Sequence, residues 1–510
     1  MGNEGVIMEG RTKKSARNAG VAIAMHLIAM GLSFVSRTLF AKILATEYLG
    51  LSGLFTNIIS VLSLSELGIG NVIIIHLYKP LAEKNEEQIC RLMSFYRKAY
   101  TLIGIVVISC GVALVPFLDK LVMHDGSIPH LKFYYLLFVL QSAVSYFFSY
   151  KASLLTASQH EYICSFVRQL FEIVTKLLQI LFLWLTHQYV AFLLVSIITG
   201  FVSNIVISGI ADKRFPYLRK RKRLQLDKTQ SKDMFKNVSS MMLHKIGNTV
   251  INSTDNILIS SMVGIIYTGL YSNYIMIMNM VSTLINICFA AVSASVGDYN
   301  AQKSVQERKS LFDVMCFLGV WVYGMGAICF ACLYQPTIHI WLGEAYMLDF
   351  SIVLVMSVNF FVNGIMRVPG TFSDVNGLFV KTKFKPLLMA AINLVASIIC
   401  LKLWGLVGVL LGTLASYLIV GLWVDPYFLY RDVFQTPIRK YFYVLFKYAV
   451  VVVIIGLVTY GVVQIVPFYV GKVLVAGLLS NGLQLLCFYK NPAVGFVLTR
   501  AKALFKINSK

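Results

Sequence analysis

Apolar stretches of about twenty residues recur from one end of this 510-residue chain to the other. Each is long enough to cross the roughly 30 Å of hydrocarbon in a bilayer. Hydrocarbon offers no partner to a backbone N–H or C=O, so only helices and closed barrels can span it. The stretches are continuously apolar and do not alternate, which selects helices over barrel strands. Composition agrees. Charged residues make up 13% of the chain, against about a quarter in a soluble globular domain.

Fourteen spans are predicted, near 19–42, 54–78, 97–118, 133–155, 162–185, 189–210, 238–261, 270–294, 311–333, 350–372, 386–401, 406–429, 441–465 and 473–489. The net charge of +22 would suit a nucleic-acid partner, but its distribution argues against one. Lys and Arg collect at 11–17, 79–98, 211–236, 303–309, 381–385, 431–447 and 490–510, all on one side of the membrane in this register. That asymmetry is the positive-inside pattern of a multi-pass protein with both termini in the cytoplasm. The basic start RTKKSAR (11–17) leads into an apolar stretch too long for a signal core, so it reads as a retained first span. Of the nine cysteines, Cys329 and Cys332 lie one turn apart in an apolar segment. A metal or redox pair is one reading, but buried small hydrophobes suit the setting better, and no metal or cofactor is expected.

The segment 212–237 carries ten Lys or Arg against three Asp and follows the sixth span. RKRKR (219–223) would suit acidic headgroups, but the plainer reading is an orientation-setting linker. On either side of it the chain resembles itself. An offset of 219 sets YLGL (48–51) over YTGL (267–270), and Ser36–Arg37 over Asp255–Asn256. Six spans per half would make the halves parallel repeats, as in many transporters. The expected fold is therefore all-α and membrane-embedded, with two six-helix bundles and two further helices. Its parts are a cytoplasmic N-terminus (1–18), a first bundle (19–210), a basic linker (211–237), a second bundle (238–430), two additional helices (431–489) and a cytoplasmic tail (490–510).

Several spans carry polar groups at helical spacing. In HKIGNTVINSTDNILIS (244–260), His244, Asn248, Asn252 and Asp255 step by 4, 4 and 3, with Lys245 and Asn256 beside them. Arg168, Glu172, Lys176 and Gln179 repeat that step in the fifth span. His26, Ser33 and Arg37 share a face of the first span, and Asn359, Asn363 and Arg367 a face of the tenth. Glu66 sits mid-span in SLSELGIGN (63–71).

A charge at the bilayer centre costs about 2.5–3.5 kcal/mol on insertion scales, so each needs a partner, water or a way to the surface. For Asn248, Asn252, Asn359 and Asn363, a hydrogen bond between helices competes with a place in a polar cavity. For Arg37, Lys245 and Arg367, snorkelling to a membrane face competes with ligand binding. Among the in-span ions, Arg37, Arg168, Lys176, Lys245 and Arg367 outnumber Glu66, Glu172 and Asp255. A hydrated cavity with that balance suits an anion, above all a phosphate held by Arg forks and Lys point charges. His26, deep in its span, is the candidate proton relay.

Residues 37–89, from RTLFAKILATEYLGLSGLF to NEEQI, resemble the N-terminal region of Wzx-type polysaccharide flippases, which belong to the MOP exporter superfamily. NSTDNILISSMVGIIYTGLYSNY (252–274) resembles the start of that family's second bundle, and IWLGEAY (340–346) and LWGLVGVLLGTLAS (403–416) resemble later segments. The resemblance implies fourteen helices in two bundles and alternating access. It also implies transfer of an undecaprenyl-pyrophosphate-linked oligosaccharide to the outer leaflet of the bacterial cytoplasmic membrane. Cationic residues would hold the pyrophosphate, and an ion gradient (H⁺ or Na⁺) would drive transport. Arg37 and Asp255 carry over most directly. Polysaccharide polymerases and glycosyltransferases would be the partners.

A cation-coupled drug or metabolite exporter is the alternative on the same fold, and it predicts a carboxylate-dominated cavity. An enzyme such as a polymerase or glycosyltransferase fits less well, because the exterior connections are short and no Walker A or H-E-x-x-H motif is present. A non-transporting scaffold for a synthesis complex is also compatible with the sequence.

Overall fold

The structure is a computed structural model and describes residues 24–63, 69–123, 128–220, 246–247, 249–251 and 253–495. Every regular element among them is a helix. In chain order these are α1 (Ala24–Ile43), α2 (Thr46–Leu62), α3 (Ile69–Ala82), α4 (Glu86–Leu121), α5 (Leu131–Ala157), α6 (Glu161–Thr186) and α7 (Tyr189–Arg214). Then follow α8 (253–262), α9 (Ile265–Gln302), α10 (Val305–Leu342), α11 (Phe350–Val375), α12 (Lys385–Phe434), α13 (Arg439–Ile465) and α14 (Tyr469–Phe488).

Among the described residues, nine helical runs are long and apolar enough to cross a membrane. The all-helical, multi-pass architecture expected from the sequence is the one observed. α6, whose 26 residues include Glu161, Arg168, Glu172 and Lys176, is not among those nine.

Three predicted spans gain detail. The span expected at 54–78 is two helices. α2 ends with Ser63 as its C-cap, and α3 starts again at Ile69. The spans expected at 386–401 and 406–429 are the two arms of one hairpin, α12. It reverses at Trp404 (φ −131°, ψ 17°) and Gly405 (φ 56°, ψ −134°). The Gly405 conformation is closed to residues bearing a Cβ. The arms then pair antiparallel: Asn393 meets Thr413 and Ser397 meets Val409. They approach so closely that a Cβ on Gly412 would strike Ser397, and one on Gly408 would strike the Cys400 backbone.

The 219-residue offset reappears in the helix boundaries. α2, α4 and α5 begin at Thr46, Glu86 and Leu131, and α9, α10 and α11 begin at Ile265, Val305 and Phe350, each 219 residues later. The caps follow the same register. Asn85 accepts from Gln88 N at 3.0 Å, while Ser304 accepts from Glu307 N at 3.4 Å in a capping box. Each cap satisfies backbone donors at a helix start, where no intrahelical partner exists.

The helices form two compact units, 1–249 with 264–269 and 250–263 with 270–510. In the first, α4 packs on α5, and α7 on both α5 and α6. In the second, α10 packs on α11, α13 and α14, and α11 packs on α12. A Cβ on Gly364 would strike the Tyr323 ring, so that glycine sets the approach of α11 to α10.

Gly412→Ala is expected to destabilise the protein by about 1–3 kcal/mol through overpacking. Gly477→Ala, in open space, should leave the thermal transition of detergent-purified protein unchanged. Equal transitions for the two variants would refute the close hairpin.

Candidate functional site

In the first unit, α1 is held at its far end by aromatic contacts. Phe40, 2% exposed, packs edge-on against Tyr189 (5.8 Å) and Phe192 (4.9 Å) of α7. Tyr189 also meets Ser52 of α2, hydroxyl to hydroxyl at 2.8 Å. Arg37 lies one turn before Phe40 and is half-buried. Its charge acts on both Tyr189 and Lys176. The aromatic anchors thus bring Arg37 of α1 into the same electrostatic neighbourhood as α6.

Two polar contacts set the rotation of α6. Gln179, 2% exposed, donates from Nε2 to Ser196 Oγ at 2.6 Å, and the Thr175 and Thr199 hydroxyls lie 2.7 Å apart. Such bonds contribute about 1 kcal/mol or less apiece, but they have direction. They turn Thr175 and Gln179 into the α7 seam. Lys176 is left at its edge, with Nζ 3.5 Å from Gln179 Oε1. The exposed Glu172 adds an opposite charge to the Lys176 environment. Arg37, Lys176 and Glu172, predicted from two separate helix faces, therefore form one group.

Other candidates of this unit lie apart. Arg168 is exposed and pairs with Glu161 at 3.8 Å, near the start of α6. It sits eight residues, about 12 Å along the helix, from Lys176. His26 lies eleven residues before Arg37, and its Nε2 is buried with no hydrogen-bond partner among the described residues. Glu66 lies outside the described residues.

In the second unit, Asp255 of α8 faces the α12 hairpin. Thr413 Oγ1 is 3.0 Å from each of its carboxylate oxygens. Asn393 stands by the same carboxylate and donates Nδ2–H to Thr413 Oγ1 at 2.8 Å. Asn393 Oδ1 is buried and has no hydrogen-bond partner among the described residues. Just beyond Thr413 the helix widens into a π-helical turn, Tyr417–Gly421, a distortion frequent at functional sites. Tyr417 lies in the field of Asp255 and accepts from Asn363 Nδ2 at 3.0 Å. Arg367, exposed one turn along α11 from Asn363, acts on Tyr417 as well. Tyr417 thus links an acid, an amide and a cation that the sequence placed on different helices.

Asn359 has a different role from its neighbour. It is 9% exposed and donates Nδ2–H to the Leu410 carbonyl at 2.9 Å, across the α11–α12 seam. Lys245, Asn248 and Asn252 lie outside the described residues. No group of three or more His, Cys, Asp or Glu poised for a metal occurs among the described residues.

Sequence reasoning missed Thr413, Asn393, Tyr417 and Tyr189. Each is a single polar or aromatic residue in an apolar span, which carries no signal until a neighbouring helix is in place. It also missed a buried ion pair, Lys385 with Asp425, joining the two arms of α12. There the signal existed, since Asp425 is an acid inside the predicted span 406–429 and warranted a partner.

This helical fold is that of MOP-superfamily transporters. An inward-facing multidrug resistance MATE family transporter of that superfamily superposes with TM-score 0.64, at 12% identity, over 79% of this chain and 96% of its own. The lipid II flippase MurJ, in an inward closed conformation, superposes with TM-score 0.63, at 15% identity, over 92% and 99%. A MOP superfamily transporter from Pyrococcus furiosus, described as having a binding pocket of reverse polarity, gives 0.52 at 12% identity over 79% and 93%. No curated protein matches the chain. The polysaccharide biosynthesis protein family matches residues 15–294, and this chain belongs to it.

Removing the shared hydroxyl tests the Asp255 cluster. Thr413→Val would leave both Asp255 and Asn393 without their bridging group and should destabilise the purified chain by about 1–3 kcal/mol. Thr413→Ser should restore most of that loss. A valine variant melting with wild type would show that the hydroxyl contributes nothing.

Proposed function

We propose that this protein is a flippase. It moves an undecaprenyl-pyrophosphate-linked oligosaccharide from the inner to the outer leaflet of the bacterial cytoplasmic membrane, by alternating access, for surface polysaccharide assembly. The observation that carries this reading is that Arg37 and Lys176, on two helices of the first unit, lie within electrostatic range of each other, with the acid Glu172 acting on Lys176 as well. Pyrophosphate presents many acceptor oxygens and negative charge. A guanidinium fork and an ammonium point charge suit it together better than either alone. Family membership supports the polysaccharide context, and the likeness to a lipid II flippase supports a fold able to handle a lipid-linked sugar.

Arg168, Arg367 and Lys245 serve as further cationic contacts along the route, and the prenyl tail stays in lipid. No covalent step is involved. Both termini lie in the cytoplasm, and polymerases and glycosyltransferases act before and after transport.

Coupling to an ion gradient is assigned to the Asp255 cluster. The carboxylate, the Thr413 hydroxyl and Asn393 Oδ1, which has no hydrogen-bond partner among the described residues, are hard oxygen donors in a buried place. That donor chemistry fits H⁺ or Na⁺. A bound cation there would offset the Asp255 charge, while Thr413 and Asn393 hold the carboxylate in place. Glu66, Glu172 and His26 remain the other coupling candidates.

A cation-coupled exporter of drugs or metabolites is the second reading, supported by the likeness to a multidrug transporter. In cells, Arg37→Ala and Lys176→Ala at equal protein level should each cut surface polymer by about tenfold or more, the loss of a charge-assisted contact. Undiminished polymer from both variants rules out the assignment of these two residues. Asp255→Asn should abolish the dependence of transport on the ion gradient while leaving binding of the lipid-linked sugar intact. Gradient-dependent transport by that variant would remove Asp255 from the coupling step.

A further inference from the structure

The first unit holds a second cationic place that the proposed route does not use. A cavity of about 580 Å³ opens at the end of the unit where α4 begins and where α5 and α7 finish. Arg97, Lys151 and Asp212 line it, together with Ser94, Ser208 and Phe147. Lys151 Nζ lies 2.7 Å from Asp212 Oδ2, and these side chains are only 17% and 16% exposed. Arg97 is exposed, and its charge and that of Asp212 both act on Tyr150.

The depth of the cavity follows from α4. Its 36 residues extend about 54 Å at 1.5 Å per residue, nearly twice the hydrocarbon thickness of about 30 Å. From Arg97 to Leu121 the helix rises about 36 Å. Arg97 therefore sits close to the level where hydrocarbon gives way to headgroups, on the side that the charge distribution assigns to the cytoplasm. Arg37 and Lys176 lie nearer the opposite ends of their helices, so the two cationic places occupy different depths.

A structural ion pair would account for Lys151 and Asp212 alone. It does not account for a cavity beside them, nor for a third charge and two serines on its wall. The volume falls within the roughly 300–1,000 Å³ of ligand sites. With two cations against one acid the lining is net positive. Guanidinium, ammonium and hydroxyl groups are the donors that a phosphate accepts from, and Phe147 supplies an apolar wall.

We infer that this cavity binds a phosphate-bearing ligand at the inner membrane interface. Arg97 and Lys151 are its anchors, and Asp212 is the acid that holds Lys151 until the ligand's phosphate takes its place. The phosphate can arrive on an anionic lipid headgroup or on a soluble molecule. The inference does not depend on the flippase reading, because binding here is measured without transport.

The test uses the full-length protein in nanodiscs and follows the rate at which an amine-acylating reagent labels Lys151, read by peptide mass spectrometry. Neutral phosphatidylcholine discs give the reference rate. One arm adds phosphatidylglycerol to the discs, and the other adds inorganic phosphate to neutral discs. Slowing of about tenfold, the scale of a charge-assisted contact, is expected in at least one arm. Slowing by phosphatidylglycerol identifies a lipid source, and slowing by inorganic phosphate a soluble one. Arg97→Gln should remove the protection and Arg97→Lys should keep part of it, while labelling of the exposed Lys402 stays at its wild-type rate in both. No slowing in either arm, or slowing that survives Arg97→Gln, overturns the inference.

Discussion

A polar group inside a bilayer must find its partner within the protein, and the arrangement of this molecule depends on that requirement. The backbone meets it by becoming helical. Side chains in the spans meet it by seaming helices together. Gln179 binds Ser196, Asn359 binds the Leu410 carbonyl, and Lys385 binds Asp425. Each contact is modest in energy, yet each has direction, so together they set helix rotations that apolar packing leaves loose. The rotation of α6 is the clearest case. Its bonds to α7 decide that Lys176 stands at the edge of the seam, in the field of Arg37.

The same constraint is met twice at an offset of 219 residues, with different chemistry. Helix starts at Thr46, Glu86 and Leu131 recur at Ile265, Val305 and Phe350. Within that shared plan α1 carries Arg37, while α8 carries Asp255 one position earlier in the register. The first unit brings Arg37, Lys176 and the acid Glu172 into one electrostatic neighbourhood. The second places an acid among hydroxyl and amide groups. A common backbone plan thus carries opposite charge in its two halves. The plan is not copied everywhere: α2 ends at Leu62, where α9 runs on without a break to Gln302.

How much of this was legible beforehand depended on whether the signal was local. The apolar lengths are local, and the number and rough placement of the spans followed from them. Within the expected span 54–78, apolar composition did not report the helix end at Leu62. Helical spacing correctly placed Arg168, Glu172, Lys176 and Gln179 on one face. It did not show that Gln179 is turned into a seam or that Arg168 belongs to Glu161. Asn359 and Asn363 share a face too, yet one binds a helix backbone and the other the Tyr417 hydroxyl. Spacing defines a direction around a helix axis, and the neighbour lying in that direction belongs to another part of the chain.

The sequence by itself determined that this chain is helical, multi-pass and internally repeated, and that its spans carry more positive than negative charge. Those properties follow from chain-local quantities: apolar length, backbone hydrogen-bonding need and the sorting of Lys and Arg. Only the tertiary structure decided which charges share a neighbourhood. Arg37 acts on Lys176 through its charge, Asp255 meets Thr413 and Asn393, and Lys151 meets Asp212 beside Arg97. The physical reason is range. Charges and hydrogen bonds act over a few ångströms in space, and these partners stand tens to more than a hundred residues apart along the chain.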